Sequence, residues 1–569
     1  VPCGSREEAA VLVRAPARVR PAAGPRPRLR RAATAAGALL LFLALVAPAQ
    51  ADQLTPAAFL RIPVEGIAAA ALLLVLPGRA RRVAAVLLGA GLALLTLLRV
   101  LDMGFLAIAG RPFDPLFDWA QVGGGITVVA GPAGPAGAAA LTVVAAALAV
   151  ALALLLALAA ARLADLAARR RGGVGRGLVV LGVTWTVCAA LGAQVVAPVP
   201  VASRSVASLA ARVAAQVPAS LADQQRFTEQ ARTDAFRDVP GPELLTALRG
   251  KDVVVVFVES YGRSALTDPE FAPGIGRVLD DGTRTLAGAG YGTRSGFLTS
   301  SVTGGGSWLA HATLLSGVRV THQHSYDTLV AGERTTLTGA FQRAGWETVA
   351  VMPSNDGPWP AAGFYGVDRV HDAATLGNRS TRFAGFQTPD QFTLAAFERL
   401  ERDRVGRGPL MAEIPLVTSH WPWAHVPREV GWDEVGDGSV YDTMPVADAA
   451  AVQEDPDAMR EGYRRTLEYS LSTLVSWVET HGDDDLVVLA LGDHQPAAFL
   501  TGEGAGRDVP ISVITRDADV LDRAAGWGWE PGLRPGPQAP VWPMESFRDR
   551  FLTTFSAPVV PAPAPHQGR

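Results

Sequence analysis

Apolar and polar positions follow two different rhythms on either side of residue 200. Before it, apolar runs at 32–49, 62–77, 83–109, 137–160 and 177–198 each approach the length of about 20 helical residues that crosses a hydrocarbon core. The pattern predicts five membrane spans. The second, 62–77, is the shortest and is bordered by Arg61 and Glu65, so a buried re-entrant helix is its alternative. Residues 199–249 are polar to amphipathic, with Val206, Leu209, Val213, Val217 and Leu221 at helical spacing. This predicts a helix that lies on the membrane surface or packs on the next domain. From Asp252 short apolar runs alternate with helical segments: 253–258, 348–351, 414–417 and 486–491. Near-continuous apolar strands between helices predict an α/β domain with a largely parallel sheet buried on both faces.

Composition sharpens this division. Charged residues are 18% of the 569-residue chain, below the roughly 25% of soluble domains, and the mean hydropathy is +0.21. The formal net charge of −3 gives no electrostatic footprint for nucleic acid. Arginines cluster in the tail through Arg31, in Arg79–Arg82 and in Arg162–Arg176, whereas 50–61 and 110–136 are poor in them. Positive-inside bias then places the amino terminus in the cytoplasm and everything after residue 198 outside. A basic segment, a short apolar core and Ala47-Pro48-Ala49-Gln50-Ala51 also resemble a cleavable secretory signal, a reading that exports the same domain. Cys3 and Cys188 are the only cysteines, which removes a disulfide framework and a cysteine zinc site. Lys251 is the only lysine and precedes Asp252, so no Gly-Lys-Ser/Thr phosphate loop exists.

Ligands of open α/β sheets bind beyond the carboxyl ends of the strands, and polar residues follow each apolar run. Glu259-Ser260 ends the first, Pro353-Ser354-Asn355-Asp356 follows the second, Thr418-Ser419-His420 ends the third and Asp493-His494 ends the fourth. A carboxylate from one strand end and an Asp-His pair from another supply two oxygens and an imidazole nitrogen to a divalent cation. That donor set suits manganese or zinc, and magnesium less well. In Thr303-Gly304-Gly305-Gly306-Ser307, three glycines allow close backbone approach before a helix that Gly317 ends. Ser307 is there either a helix N-cap or a hydroxyl at an anion-attracting helix start.

Strand carboxylate, hydroxyl-led helix ending in Leu314-Leu315-Ser316-Gly317, and late Asp-His pair resemble the alkaline phosphatase superfamily. Five spans before the domain, with Arg111-Pro112-Phe113-Asp114-Pro115-Leu116-Phe117-Asp118-Trp119 in the second outer loop, resemble its sulfatase-like branch of lipoteichoic acid synthases and phosphoglycerol transferases. The resemblance implies that Glu259, Asp493 and His494 bind one divalent cation, manganese first, with Ser307 as nucleophile and fourth ligand. It implies that His420 and Trp359 contact the substrate headgroup. His311, one turn into the Ser307 helix, either faces that pocket or packs. The branch's usual nucleophile is threonine, so serine is a mild departure, with Thr303 as the alternative nucleophile. An arginine expected two residues after Trp359 is replaced by Ala361, which puts a phosphoglycerol headgroup in doubt. Leu309 and His311 occupy the proline and arginine positions of the formylglycine motif, so a phosphoester is favoured over a sulfate ester.

The expected organisation is a basic cytoplasmic tail at 1–31, five transmembrane helices at 32–198, an amphipathic linker at 199–249, an exported catalytic domain at 250–556 and a disordered tail at 557–569. The expected function is a phosphotransferase or phosphodiesterase in the cell membrane, acting on phospholipid headgroups or envelope polymers through a phospho-Ser307 intermediate. A sulfatase and a non-catalytic envelope protein that keeps the fold are the alternatives. The bilayer is the expected partner, with no nucleic acid. His322, His324, His371, His425 and His481 read as solvated loop histidines.

Overall fold

The computed structural model describes residues 27–557 apart from 49, 51–52, 130–133 and 503. Most of the basic tail with Cys3, two residues of the Ala47–Ala51 pattern and the tail beyond 557 lie outside the described residues. The chain divides into two compact units, one of 1–47, 55–96 and 145–207, the other of 48–54, 97–144 and 208–569.

The helices before the linker are α1 (Pro27–Val46), α2 (Val64–Val75), α3 (Gly78–Ala109), α4 (Trp119–Val129), α5 (Gly134–Arg169) and α6 (Arg171–Leu191). Among the described residues four are long and apolar enough to cross a membrane: α1, α3, α5 and α6. The predicted second span is instead the twelve-residue α2, about 18 Å long at 1.5 Å per residue and short of a hydrocarbon core of about 30 Å. Prolines set its length. Pro63 caps its start, and Pro77 holds Leu76 in extended backbone at ψ 142°. Within this unit small residues bring helices together: a Cβ on Gly89 of α3 would stand 2.6 Å from the Leu156 carbonyl of α5, and one on Gly37 of α1 would stand 2.9 Å from Ala159 Cβ. Close backbone approach of this kind is how helices associate where no hydrophobic drive is available.

The second unit is built on a nine-stranded sheet. Its strands are β1 (Asp252–Val258), β2 (Gly292–Thr299), β3 (Glu347–Met352), β4 (Arg369–Asp372), β5 (Leu410–Leu416), β6 (Leu486–Gly492), β7 (Asp508–Thr515), β8 (Glu530–Pro531) and β9 (Val541–Pro543). They lie in the order β8-β2-β7-β6-β1-β5-β3-β4, with β9 also on β2. The run β6-β1-β5-β3-β4 is parallel, and β7 joins β6 antiparallel. Every residue of β1 is buried. Val253, Val255 and Phe257 enter one core and Val254, Val256 and Val258 the other, the period-two signature of a strand covered on both faces. The largely parallel α/β sheet read from the apolar runs is therefore present.

The linker forms α7 (Ser205–Arg232). Within the second unit α7 packs on the end of α3 and the loop after it: Arg212 pairs with Asp102, the Gln216 amide donates to the Phe113 carbonyl, and Ser220 donates to Asp114. Arg111 closes that loop on Asp118 through two bonds of 2.5 and 2.7 Å. The histidines read as solvated are mostly partnered. The His322 ring stacks on Phe117, His371 lies 2.6 Å from Glu401, and His481 packs edge-on to Trp432. Neighbouring carboxylates and rings, invisible along the chain, are the reason. His324 is exposed.

Helix α7 is tied to the end of the domain by Asp234. Its carboxylate accepts from Arg548 Nη2 at 2.8 Å, from the Phe236 amide at 3.1 Å and from the Thr335 amide at 2.8 Å, and both charged side chains are fully buried. Burial works against ionisation of Asp234, but Arg548 and the two amides outweigh it and hold the carboxyl below its usual range. Removing one member of a buried pair costs about 3–5 kcal/mol. Asp234→Ala is expected to lower the melting temperature of the full-length protein in detergent. A folded-state pKa below the unfolded value means the pair's contribution is present above the ordinary carboxylate range and is lost as pH falls through the folded value. The gap between variant and wild type should therefore narrow in acid.

Candidate metal centre and nucleophile

Parallel register places the centre. Gly492 of β6 pairs with Val258 of β1, so Asp493-His494 and Glu259 leave adjacent strands at the same level. The backbone turns sharply there: Ser260 has φ 57°, and a Cβ on Gly492 would stand 1.9 Å from the Tyr261 carbonyl, so only glycine fits before Asp493. Glu259, Asp493 and His494 each bring a ligand atom within 4.8 Å of the others, and all three are buried.

The main chain around them is held by side chains from four directions. Ser419 donates to the Glu259 carbonyl at 2.6 Å, Tyr463 to the Ser260 carbonyl at 2.9 Å, and Ser300 to the Asp493 carbonyl at 2.7 Å. The fourth is Gln495, whose Oε1 accepts from the Ser264 amide at 3.3 Å and from Ser264 Oγ at 2.7 Å. Asp493 Oδ1 accepts from the amides of Ser260 at 2.8 Å and His494 at 2.7 Å, while Oδ2 is buried without a hydrogen-bond partner. The His494 Nδ1 donates to the Gln495 carbonyl at 2.8 Å, which leaves Nε2 directed at the carboxylates, 3.5 Å from Glu259 Oε1 and 3.4 Å from Asp493 Oδ2.

Helix α9 (Ser307–Ser316), which follows α8 (Ala272–Gly288), delivers the hydroxyl. Gly304, Gly305 and Gly306 take φ of 70°, 139° and 81°, a path that residues with a Cβ rarely follow. The N-cap of α9 is Gly306, with no side-chain cap. Ser307 is therefore not the N-cap. Its Oγ donates to Glu259 Oε2 at 3.0 Å and lies 3.2 Å from His494 Nε2. Thr303 pairs with Gln495 through its backbone on the far side of the glycines, and its hydroxyl makes none of these contacts.

The electrostatics suit a cation. Burial raises the Glu259 carboxyl, but His494, His420 and the Ser260 and Ser307 hydroxyls outweigh it and hold it well below its usual range. Burial and the Glu259 charge push Asp493 up. Burial opposes charge on His494, and the two carboxylates overcome that and raise it. Two buried carboxylates, one imidazole whose Nε2 faces them and an unpartnered buried Oδ2 fit a single divalent ion with nitrogen and oxygen donors.

His420 is half-buried at the end of β5, with Nδ1 2.6 Å from the Trp421 carbonyl and its ring stacked on Phe386 at 4.3 Å. Its charge bears on Glu259, so it belongs to the same end of the sheet. Trp359 stacks on Tyr365 at 4.9 Å and bonds Tyr326. None of its contacts is with the three candidate ligands. Ala361 is buried beside it. His311 reaches Glu413, at 3.1 Å from Nδ1. The apolar-run reading passed over Glu413. The one carboxylate inside Leu410-Met411-Ala412-Glu413-Ile414 was the available signal.

Asp493→Asn, with the carboxylate replaced by an amide of the same shape, is expected to weaken manganese or zinc binding by at least about tenfold, read by calorimetry on the full-length protein. Equal affinity would remove the site.

No family model matches the chain, and no curated protein matches it. Solved structures similar to it include the lipoteichoic acid synthase LtaP from Listeria monocytogenes, at 15% identity over 53% of this chain and 71% of that one, TM-score 0.36. Another is the Streptococcus pyogenes phosphoglycerol transferase GacH in complex with sn-glycerol-1-phosphate, at 13% identity over 59% and 80%, TM-score 0.35. A third is the soluble domain of lipooligosaccharide phosphoethanolamine transferase A from Neisseria meningitidis, at 15% identity over 56% and 93%, TM-score 0.37.

Proposed function

We propose that the chain is a membrane-bound, cation-dependent phosphotransferase or phosphodiesterase whose nucleophile is Ser307. The observation that carries this reading is the Ser307 hydroxyl at a helix start, 3.0 Å from Glu259 and 3.2 Å from His494. A nucleophile in contact with two candidate ligands at the positive end of a ten-residue helix matches what in-line attack on a phosphoester needs. A cation held by Glu259, Asp493 and His494, manganese first, supplies Lewis acidity and lowers the pKa of a neighbouring hydroxyl. Ser307 Oγ attacks phosphorus, the amides at the start of α9 hold phosphoryl oxygens, and the leaving group departs from a phospho-Ser307 intermediate. His420, with Nδ1 committed to a carbonyl, offers Nε2 to the headgroup. Trp359 supplies a face to it. A phospholipid headgroup or an envelope polymer is the substrate, and water or a second hydroxyl releases the enzyme.

The catalytic domain, 250–556, is placed outside the cell membrane. Arginines on either side of the apolar helices support this only if the chain crosses an odd number of times. Helix α2 is the element that decides the parity. It packs against α6 and α1; the helix alone is shorter than the hydrocarbon core, and we assign the return crossing to it together with its flanks in the apolar run 62–77, with local thinning of the bilayer making up the difference. Reporter fusions at residues 80 and 170 are expected to read cytoplasmic and one at 240 external.

Ser307→Ala is expected to cut turnover by at least about a thousandfold while the cation still binds. Acid-quenched wild-type protein should give a phosphorylated peptide at Ser307 by mass spectrometry. A formylglycine mass at that position would overturn the reading in favour of a sulfatase.

A further inference from the structure

Helix α9 carries a second reactive side chain one turn beyond Ser307. His311 is four residues on, so both lie on one helix face, about 5–6 Å apart at Cβ. Its ring lies flat on Phe257, with centroids 3.7 Å apart and planes 14° from parallel, two residues before Glu259. Its Nδ1 stands 3.1 Å from Glu413 Oε1.

Glu413 occupies the middle of β5 between fully buried Ala412 and Ile414, and its side chain is 1% exposed. A carboxylate in an apolar sheet costs several kcal/mol unless it is paired. His311 is its one hydrogen-bond partner among the described residues, and its second oxygen, Oε2, has none. A salt bridge that served only the core would satisfy both oxygens and bury the ring. Here the His311 side chain keeps 12% of its surface exposed, and among the described residues only Nδ1 has a hydrogen-bond partner.

The surroundings locate the free end of the ring. On one side the His311 charge bears on Asp493. On the other, the Glu413 charge bears on the hydroxyls of Tyr326 and Tyr365, and Tyr326 bonds Trp359. His311 thus lies within electrostatic range of Asp493 and, through Glu413, of Tyr326 and Tyr365. His420 differs in kind, because its Nδ1 meets a neutral carbonyl. A carboxylate facing Nδ1 fixes the orientation of the ring and balances the charge it takes on while moving a proton, which a carbonyl does far less.

We propose that His311, oriented by Glu413, donates a proton to the leaving oxygen and then takes one from the incoming hydroxyl. The proposal rests on the phosphotransfer reading above. In the first half the Ser307 Oγ–P bond forms, the bond from phosphorus to the leaving oxygen breaks, and that oxygen takes the Nε2 proton. The hydroxyl proton of Ser307 has left to solvent. In the second half the acceptor hydroxyl gives its proton to Nε2 and its oxygen bonds phosphorus, while the Ser307 Oγ–P bond breaks and Ser307 regains a proton from solvent. Glu413 is a positioning residue throughout.

Leaving-group dependence tests this, because a proton donor matters little when the group departs as a stable anion. Full-length protein in detergent micelles with manganese is mixed with bis(4-nitrophenyl) phosphate or diphenyl phosphate, and the first-turnover burst of phenol is followed. His311→Gln is expected to slow the phenyl burst by about a hundredfold or more and the nitrophenyl burst by less than about tenfold. Glu413→Gln, which leaves the imidazole in place, should show the same bias at smaller size. Manganese affinity and melting temperature should stay near wild type. Equal slowing of both probes, or none with diphenyl phosphate, overturns the proposal while leaving Ser307 chemistry intact. No burst from wild type with either probe, and no phospho-Ser307, overturns the underlying reading and this proposal with it.

Discussion

Everything at the carboxyl edge of the sheet depends on one pairing, Gly492 of β6 beside Val258 of β1. It brings a carboxylate and an Asp-His pair, 234 positions apart between Glu259 and Asp493, to the same level in the strand ends. Side chains alternate between faces along a strand, so a slip of one residue would turn His494 away and leave the carboxylates unbalanced. Seven successive residue pairs between the two strands hold that register.

Three ionisable groups packed together within a protein are unstable unless their charges are matched. The fold's answer is to fix the main chain rather than to neutralise the groups. Ser419, Tyr463 and Ser300 each bond a backbone carbonyl of the site, and the side chains themselves are left with spare capacity, seen most directly in the unpartnered Asp493 Oδ2. Spare capacity held at fixed geometry is what a metal centre requires before the ion arrives. The Ser307 hydroxyl enters the same shell because three left-handed glycines steer α9 in from outside the sheet.

The architecture was legible wherever one residue's position follows from its own chain neighbourhood. Uninterrupted valines mark β1, and a polar residue directly after each apolar run marks the carboxyl edge of the sheet, where Glu259, Asp493, His494 and Ser307 come together. Partners distant in sequence are not legible in this way. Glu413 faces His311 across 102 positions; its place inside an apolar run marks it as buried, but nothing local names its partner. Helix α2 is shorter than its apolar run for the opposite reason. The apolar run 62–77 was counted by hydropathy alone, whereas Pro63 and Pro77 decide how much of it is helix. Ser307 as an N-cap was a fair local expectation, displaced because Gly306 already takes the capping position.

Ala361 bears on how a phosphoester would be held if Ser307 attacks one. A guanidinium at that position would meet phosphate oxygens with two parallel bonds. The methyl group there is buried, next to a Trp359–Tyr365 stack, and offers no charge. The anion's compensation must then come from the metal centre and the amides opening α9. Trp359 and Tyr326, if they meet the headgroup, would offer ring faces and a hydroxyl, which discriminate shape and polarity rather than charge. Binding energy is thereby concentrated at the reacting phosphorus, and the headgroup beyond it is left to be chosen by fit.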